Sequence, residues 1–179
     1  DGDFQNKRFV DIINNDLANT IGNLLNRTSS MSRKWFDNRV PSNEMLSKDN
    51  TLELYAKKTV ENYFRHFNSY ELDLAANVIL SLAINTNLYL NEKQPWTLIK
   101  DEKNIPLVSN IIYNVLESTR IVGLLLLPIL PNLSSKIDQQ LGLLYNEKVS
   151  WKKQLDWGKL IHESILPAPN PVIEKLEYE

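Results

Sequence analysis

The chain contains no cysteine, which excludes disulfides and thiolate metal sites. It has two histidines, His66 and His162, far apart in sequence. A histidine-based zinc site and a histidine-activated nucleophile are therefore not expected. Glycine is scarce at 5 residues, and no glycine-rich loop of the kind that cradles phosphates is present. The longest apolar run, residues 121–130, has Gly123 and Pro128 inside it and is far too short to span a bilayer. The opening Asp1-Gly-Asp is polar and charged, unlike a secretory signal. A soluble, cytosolic protein with no membrane partner is the expectation. The net charge of −2 argues against a protein that coats nucleic acid by electrostatics alone. No carboxylate pair has a setting that would raise a pKa. Glu71 and Asp73 come closest, but at i, i+2 on a helix they point in different directions. Nothing here reads as catalytic.

What the chain does have is helical periodicity. Its 42% hydrophobic content supports a single domain with a real core, and the shortage of glycine favours helices over a turn-rich β fold. Spacing predicts a long first helix over residues 9–36, with Pro41 closing the following turn. A second, residues 51–67, carries Leu54, Ala56, Val60, Phe64 and Phe67 on its apolar stripe. A third, residues 70–90, turns Leu72, Ala75, Ala76, Ile79, Leu80, Ala83 and Leu88 inward. A fourth covers 107–127 and is broken by Pro128 and Pro131. A short fifth, 132–141, ends at Gly142, a natural C-terminal cap. Short connections predict an all-α antiparallel bundle of about five helices, residues 1–142. Residues 143–179, with Trp151, Trp157 and a proline-rich end, read as an extended strap pinned on the bundle by aromatics, within the same domain.

The most informative stretch is Asp16-Leu-Ala-Asn-Thr-Ile-Gly-Asn-Leu-Leu-Asn-Arg27. On a helix, Asn19, Asn23 and Arg27 fall at i, i+4 and i+8 and form one polar stripe. Val10, Ile13, Leu17, Ile21, Leu24 and Leu25 gather on another face. Two amides and a planar guanidinium in a row suit the edge of a nucleic-acid base. Spacing alone favours the plainer reading, a solvated face with an Asn-Arg pair. Four basic residues and one acid between Arg27 and Arg39 add a local basic end suited to phosphate, or simply scattered charge.

A second candidate is Gln94-Pro95-Trp96, directly after the third helix. Pro95 biases Gln94 towards extended geometry and presents Trp96 at a defined place. An indole on a rigid corner is a stacking platform for an unpaired base, or an anchor of the loop in the core. Lys100, a helical turn beyond, suits a phosphate or solvent. Trp35 reads as packing against the neighbouring helix. Asn85 and Asn87, beside Tyr89, suit local hydrogen bonding or a helix end.

Taken together these stretches resemble one family. The Asp16 to Arg27 segment looks like the opening helix of the anticodon-binding domain of methionyl-tRNA synthetases. Asn87-Leu-Tyr89, Pro95-Trp96 and Lys100 resemble the second signature of that family, and Leu127-Pro-Ile-Leu-Pro131 through Leu141-Gly142 its later helices. The resemblance covers residues 4–142. It implies a class I synthetase anticodon-binding fold that reads the CAU anticodon of methionine tRNA. It places Asn23 and Arg27 on anticodon bases, stacks Trp96 on them and lets Pro95 set its position. Asn19, Asn87 and Lys100 are possible supporting residues. The family enzyme is an ATP-dependent methionine–tRNA ligase. Its His-x-Gly-His and Lys-Met-Ser-Lys-Ser types of signature are absent here, which implies a fragment without catalytic residues, cofactor or metal. The parent would use ATP and Mg2+, with zinc a further option. Its partners would be methionine tRNA and the catalytic domain of the same enzyme, with no DNA. Trp151-Lys-Lys-Gln-Leu-Asp-Trp-Gly158 most resembles cyanobacterial and plastid versions. The end departs from the family pattern, with Glu174 where a proline is expected. The alternatives are the matching domain of another class I synthetase and a helical protein-interaction module.

Overall fold

The computed structural model describes residues 18–42, 49–143 and 145–168. The described α-helices are α1 (Ala18–Trp35), α2 (Thr51–Asn68), α3 (Leu72–Lys93), a single turn α4 (Pro95–Leu98), α5 (Ile105–Leu126), α6 (Pro131–Gln140) and a second single turn α7 (Trp151–Gln154), with one 3-10 turn at Glu102–Asn104 before α5. Among the described residues there is no β-strand, only an isolated antiparallel bridge between Arg39 and Ile165. The fold is the all-α bundle expected from the periodicity.

α5 is its axis. Every residue from 108 to 126 is buried, polar ones included, which is the behaviour of a helix surrounded on all sides. α1, α2, α3 and α6 all pack on it, and α2 packs along α3. Gly123 lets α6 approach closely: a Cβ there would lie 2.8 Å from Cγ2 of Ile137. α1 contributes Ile21, Leu24 and Leu25, each at most 1% exposed. Fully burying each such side chain contributes about 1.5–3 kcal/mol. The expected inward residues Val10, Ile13 and Leu17 lie outside the described residues, as does the expected start of this helix.

The apolar stripes are partly rotated from expectation. On α2 the buried line is Leu52, Ala56, Thr59 and Tyr63, whereas Leu54 points to solvent and Val60, Phe64 and Phe67 are half-buried. The line 52, 56, 59, 63 has helical spacing too, and the tyrosine ring supplies the apolar surface that Leu54 was expected to give. On α3, Ala75, Ala76, Ile79, Leu80 and Ala83 face inward as expected, but Leu72 and Leu88 are exposed. Tyr70 is not helical. It stands in a left-handed turn with φ 60°, exposed, because the α2–α3 corner needs a reversal in three residues.

The extension after Gly142 docks along α5, and one buried ion pair holds it. Glu117 and Arg120, at i, i+3 on α5, form a two-bond pair (2.7 and 2.8 Å) and are 0% and 5% exposed. Glu117 also accepts the backbone N–H groups of Gly158, Lys159 and Leu160 at 2.7–3.0 Å. Arg120 donates to the carbonyls of Gln154 and Asp156. Both carboxylate oxygens and every guanidinium nitrogen are thus hydrogen-bonded, the condition under which a buried pair is tolerated. Upstream, the Trp151 indole N–H donates to the carbonyl of Leu124, and its ring packs on Phe64 and Tyr63. Downstream, residues 163–166 pair by backbone with residues 38–40, just beyond the end of α1. The extension therefore includes the helical turn α7, which the strap reading did not anticipate. Gly142, at φ 70°, is required where the strap crosses: a Cβ there would lie 2.6 Å from the carbonyl oxygen of Ile165. The expected departure at Glu174 lies outside the described residues.

Candidate nucleic-acid interface

α1 and α3 run side by side in the same sense. The Asn87 amide donates to the carbonyl of Thr20 at 3.4 Å, and one turn later Arg27 Nη2 donates to Asn91 Oδ1 at 2.9 Å. This pairing puts the polar stripe of α1 beside the C-terminal end of α3. There the chain reverses. Gln94 caps α3 and opens α4, and it does so in a left-handed conformation (φ 47°, ψ 55°) rather than the extended one that Pro95 favours. Ending one helix and starting the next within one residue demands the reversal, at a cost of about 1–3 kcal/mol for a non-glycine residue. Pro95 is buried at the first position of α4, where its missing N–H costs nothing. Trp96 follows, with 37% of its surface exposed.

The two candidate sets meet here. The Arg27 guanidinium lies over the Trp96 ring with Cζ 5.5 Å from the ring centroid. Such a contact contributes about 0.5–1 kcal/mol at an exposed site and holds both groups in a fixed relation. Asn23 and Asn19 stand one and two turns before Arg27 and are exposed. Trp96 is thus partly exposed beside Arg27, and Arg27 is partnered by the Asn91 amide and the indole. Of the supporting candidates, Asn87 ties α3 to α1, and Lys100 is exposed in the turn after α4. Asn85 bonds back to the carbonyl of Ser81 and takes no part.

Sequence reasoning missed Asn91. It orients Arg27, and its signal was present: Asn87 and Asn91 repeat on α3 the i, i+4 amide spacing of Asn19 and Asn23 on α1. It missed Asp49 as well. Burial would push this carboxyl up, but Lys93 Nζ at 2.6 Å and the Thr51 N–H at 3.1 Å outweigh it and hold it at about 2, below the ordinary 3.8. Asp49 also accepts from the Tyr89 hydroxyl at 3.1 Å. These contacts lock the last turn of α3 to the start of α2, one turn before Trp96.

The groups on this surface suit recognition. They offer an indole face, a guanidinium with five donors and amides that both donate and accept, all at the exposed rim of one helix end. α1 carries Arg27, Arg33 and Lys34 and no acidic residue. Among the described residues no cluster of His, Asp and Glu could hold a metal ion, and no helix is long and apolar enough to cross a membrane.

Comparison with known proteins assigns the chain to a family. The family model described as the anticodon binding domain of methionyl tRNA ligase matches residues 40–178. A methionine–tRNA ligase of Nostoc is 36% identical over 184 residues, which is 99% of this chain and 34% of that protein. One from Listeria monocytogenes is 34% identical over 182 residues, 100% of this chain and 27% of that protein. Among solved structures, the apo methionyl-tRNA synthetase of Mycobacterium tuberculosis superposes with a TM-score of 0.80 at 31% identity, over 95% of this chain and 34% of that one. The same enzyme in complex with methionyl-adenylate gives a TM-score of 0.79 at 32% identity, over 89% of this chain and 31% of that one. The chain spans about a third of the length of the proteins it matches, and the whole of α1 with Asn23 and Arg27 lies within the matched part of the Listeria relative. The chain belongs to the family of anticodon-binding domains of methionyl-tRNA ligases.

Proposed function

We propose that this domain reads the CAU anticodon of methionine tRNA through Asn23, Arg27 and Trp96. The observation that carries the reading is the Arg27 guanidinium held over the Trp96 ring and bonded to Asn91. Splayed bases of a single-stranded loop expose both an edge and a face, and this arrangement offers a partner to each. Asn23 and Arg27 bond base edges, Trp96 stacks on a base, and Pro95 sets the position of the indole. Asn19, Asn87 and Lys100 support the site. Residues 1–142 and the extension 143–179 act as one domain.

The parent enzyme joins methionine to its tRNA at the expense of ATP, with Mg2+ and with zinc as a further option. That chemistry belongs to the catalytic domain, the second partner of this one, in the cytoplasm. DNA and membranes are not partners in this reading.

Binding decides it. At low salt, a stem-loop bearing CAU should bind the chain more tightly than one whose first anticodon base is changed. Competition between the two RNAs measures the difference, and equal binding sinks the anticodon reading. It would leave the helical protein-interaction module standing.

A further inference from the structure

Beyond Arg27, the exposed face of α1 continues for two turns as a shallow groove of about 400 Å3 lined by Asn26, Arg27, Ser30, Met31, Lys34 and Trp35. Its floor is mostly apolar, and its rim carries a guanidinium, an ammonium, an amide and a hydroxyl. We propose that this groove is a second subsite, which takes an unpaired nucleotide flanking the anticodon in the same RNA loop. Its base lies against Met31 and Trp35, and its phosphate meets Lys34. The inference rests on the anticodon reading above and adds a contact outside the three anticodon bases.

Three observations choose this occupant. The groove is continuous with the reading site, because Arg27 belongs to both. Arg27, Met31 and Lys34 fall within about 60° of one another around the helix, so a strand leaving Trp96 meets them in order. The charge is complementary: Arg33 and Lys34 close a helix that has no acidic residue. The axial distance from Arg27 to Lys34 is about 10 Å. That accommodates two to three nucleotides at the stacked spacing of about 3.4 Å per phosphate. Met31 and Trp35 are half-buried against the core, so the floor is pre-formed and the side chains need little ordering when a base arrives. A structural role is available for Lys34 alone, since a cation in the last turn suits the helix dipole. That role does not explain an open apolar floor beside it.

The experiment uses the 179-residue chain and CAU stem-loops in which the base on either side of the anticodon is removed, one at a time. Loss of one of these bases should weaken binding about fivefold or more. Trp35→Leu keeps an apolar side chain and should give a similar loss with the intact loop, with no further loss when that base is also absent. Lys34→Gln should lower the slope of log affinity against log salt by about one, equally for CAU and altered anticodons, with the melting temperature nearly unchanged. The proposal is overturned if neither missing base matters, or if the missing base costs as much in Trp35→Leu as in the parent chain. If Trp35→Leu does not fold, the exposed Lys34 decides, and an unchanged salt slope overturns the proposal. Failure of CAU preference in the unaltered chain is a different outcome, and it counts against the anticodon reading itself.

Discussion

Arg27 is held from two sides, by the Asn91 amide and by the Trp96 ring, and this is what separates it from an ordinary surface arginine. Pre-organisation matters because an unrestrained guanidinium must lose rotamer freedom on binding, about 0.5–1.5 kcal/mol for a side chain of this kind. Trp96→Ala should therefore weaken binding of a CAU stem-loop by about 1–3 kcal/mol. With 37% of its surface exposed, Trp96 should shift the melting temperature by only a few degrees on removal. A calorimetric scan beside the binding titration checks both, and collapse of the fold would make the indole a structural anchor. Asp49 supplies a pH test. Its folded pKa of about 2 lies below the ordinary 3.8, so its contribution to stability is fully present above 3.8 and is lost as pH falls towards 2. Asp49→Asn should lack this component. Denaturation midpoints of the two proteins should thus differ at pH 6 and converge by pH 2, and parallel curves throughout would remove the Lys93 pairing as the cause.

At the scale of elements, the Glu117–Arg120 pair decides where the extension lies. The pair accepts from or donates to five backbone groups of residues 154–160, so the strap is fastened by side chains of α5 rather than by a strand ladder. Glu117→Gln leaves a buried guanidinium without its counter-charge and should cost about 3 kcal/mol, the lower end for breaking a buried pair. The loss should be local. Amide exchange at Gly158, Lys159 and Leu160 should accelerate before that of α5, and uniform acceleration across the bundle would show that the pair serves the core instead. Much of the element level was legible beforehand. α3, α5 and α6 begin and end close to where caps and prolines place them, because these signals act within a turn of the chain. The α2 stripe was not, since Leu52 and Leu54 both fit a helical period and only the position of the neighbouring helices selects between them.

For the whole molecule, the reading surface and the α2–α3 corner sit at opposite ends of α3, a helix of 22 residues and so about 33 Å long. The strap spans much of this length, from Trp151 against Phe64 near the corner to residues 163–166 against residues 38–40 just past α1. The candidate site is thus concentrated at one end, and the proposed anticodon role sets an expectation for the full-length enzyme. Arg27→Ala should slow charging of tRNA far more than formation of methionyl-adenylate, because only the first reaction requires the anticodon to be engaged. Equal slowing of both steps would place the effect of Arg27 elsewhere.

The amino-acid sequence by itself determined the helical class, the core character of α5 and the two motifs that make the candidate site, because period, caps and residue chemistry are local properties. It did not determine that the motifs meet. Nearly seventy residues separate Arg27 from Trp96, and their contact depends on the relative shift of α1 along α3, which Asn87 and Asn91 set across the helix interface. The left-handed Gln94 was likewise beyond local reasoning, since it follows from one residue ending α3 and opening α4, against the extended preference imposed by Pro95. The course of the strap was undecided for the same reason. A chain with little periodicity goes where its backbone groups find partners, and those partners are two charges buried on a distant helix.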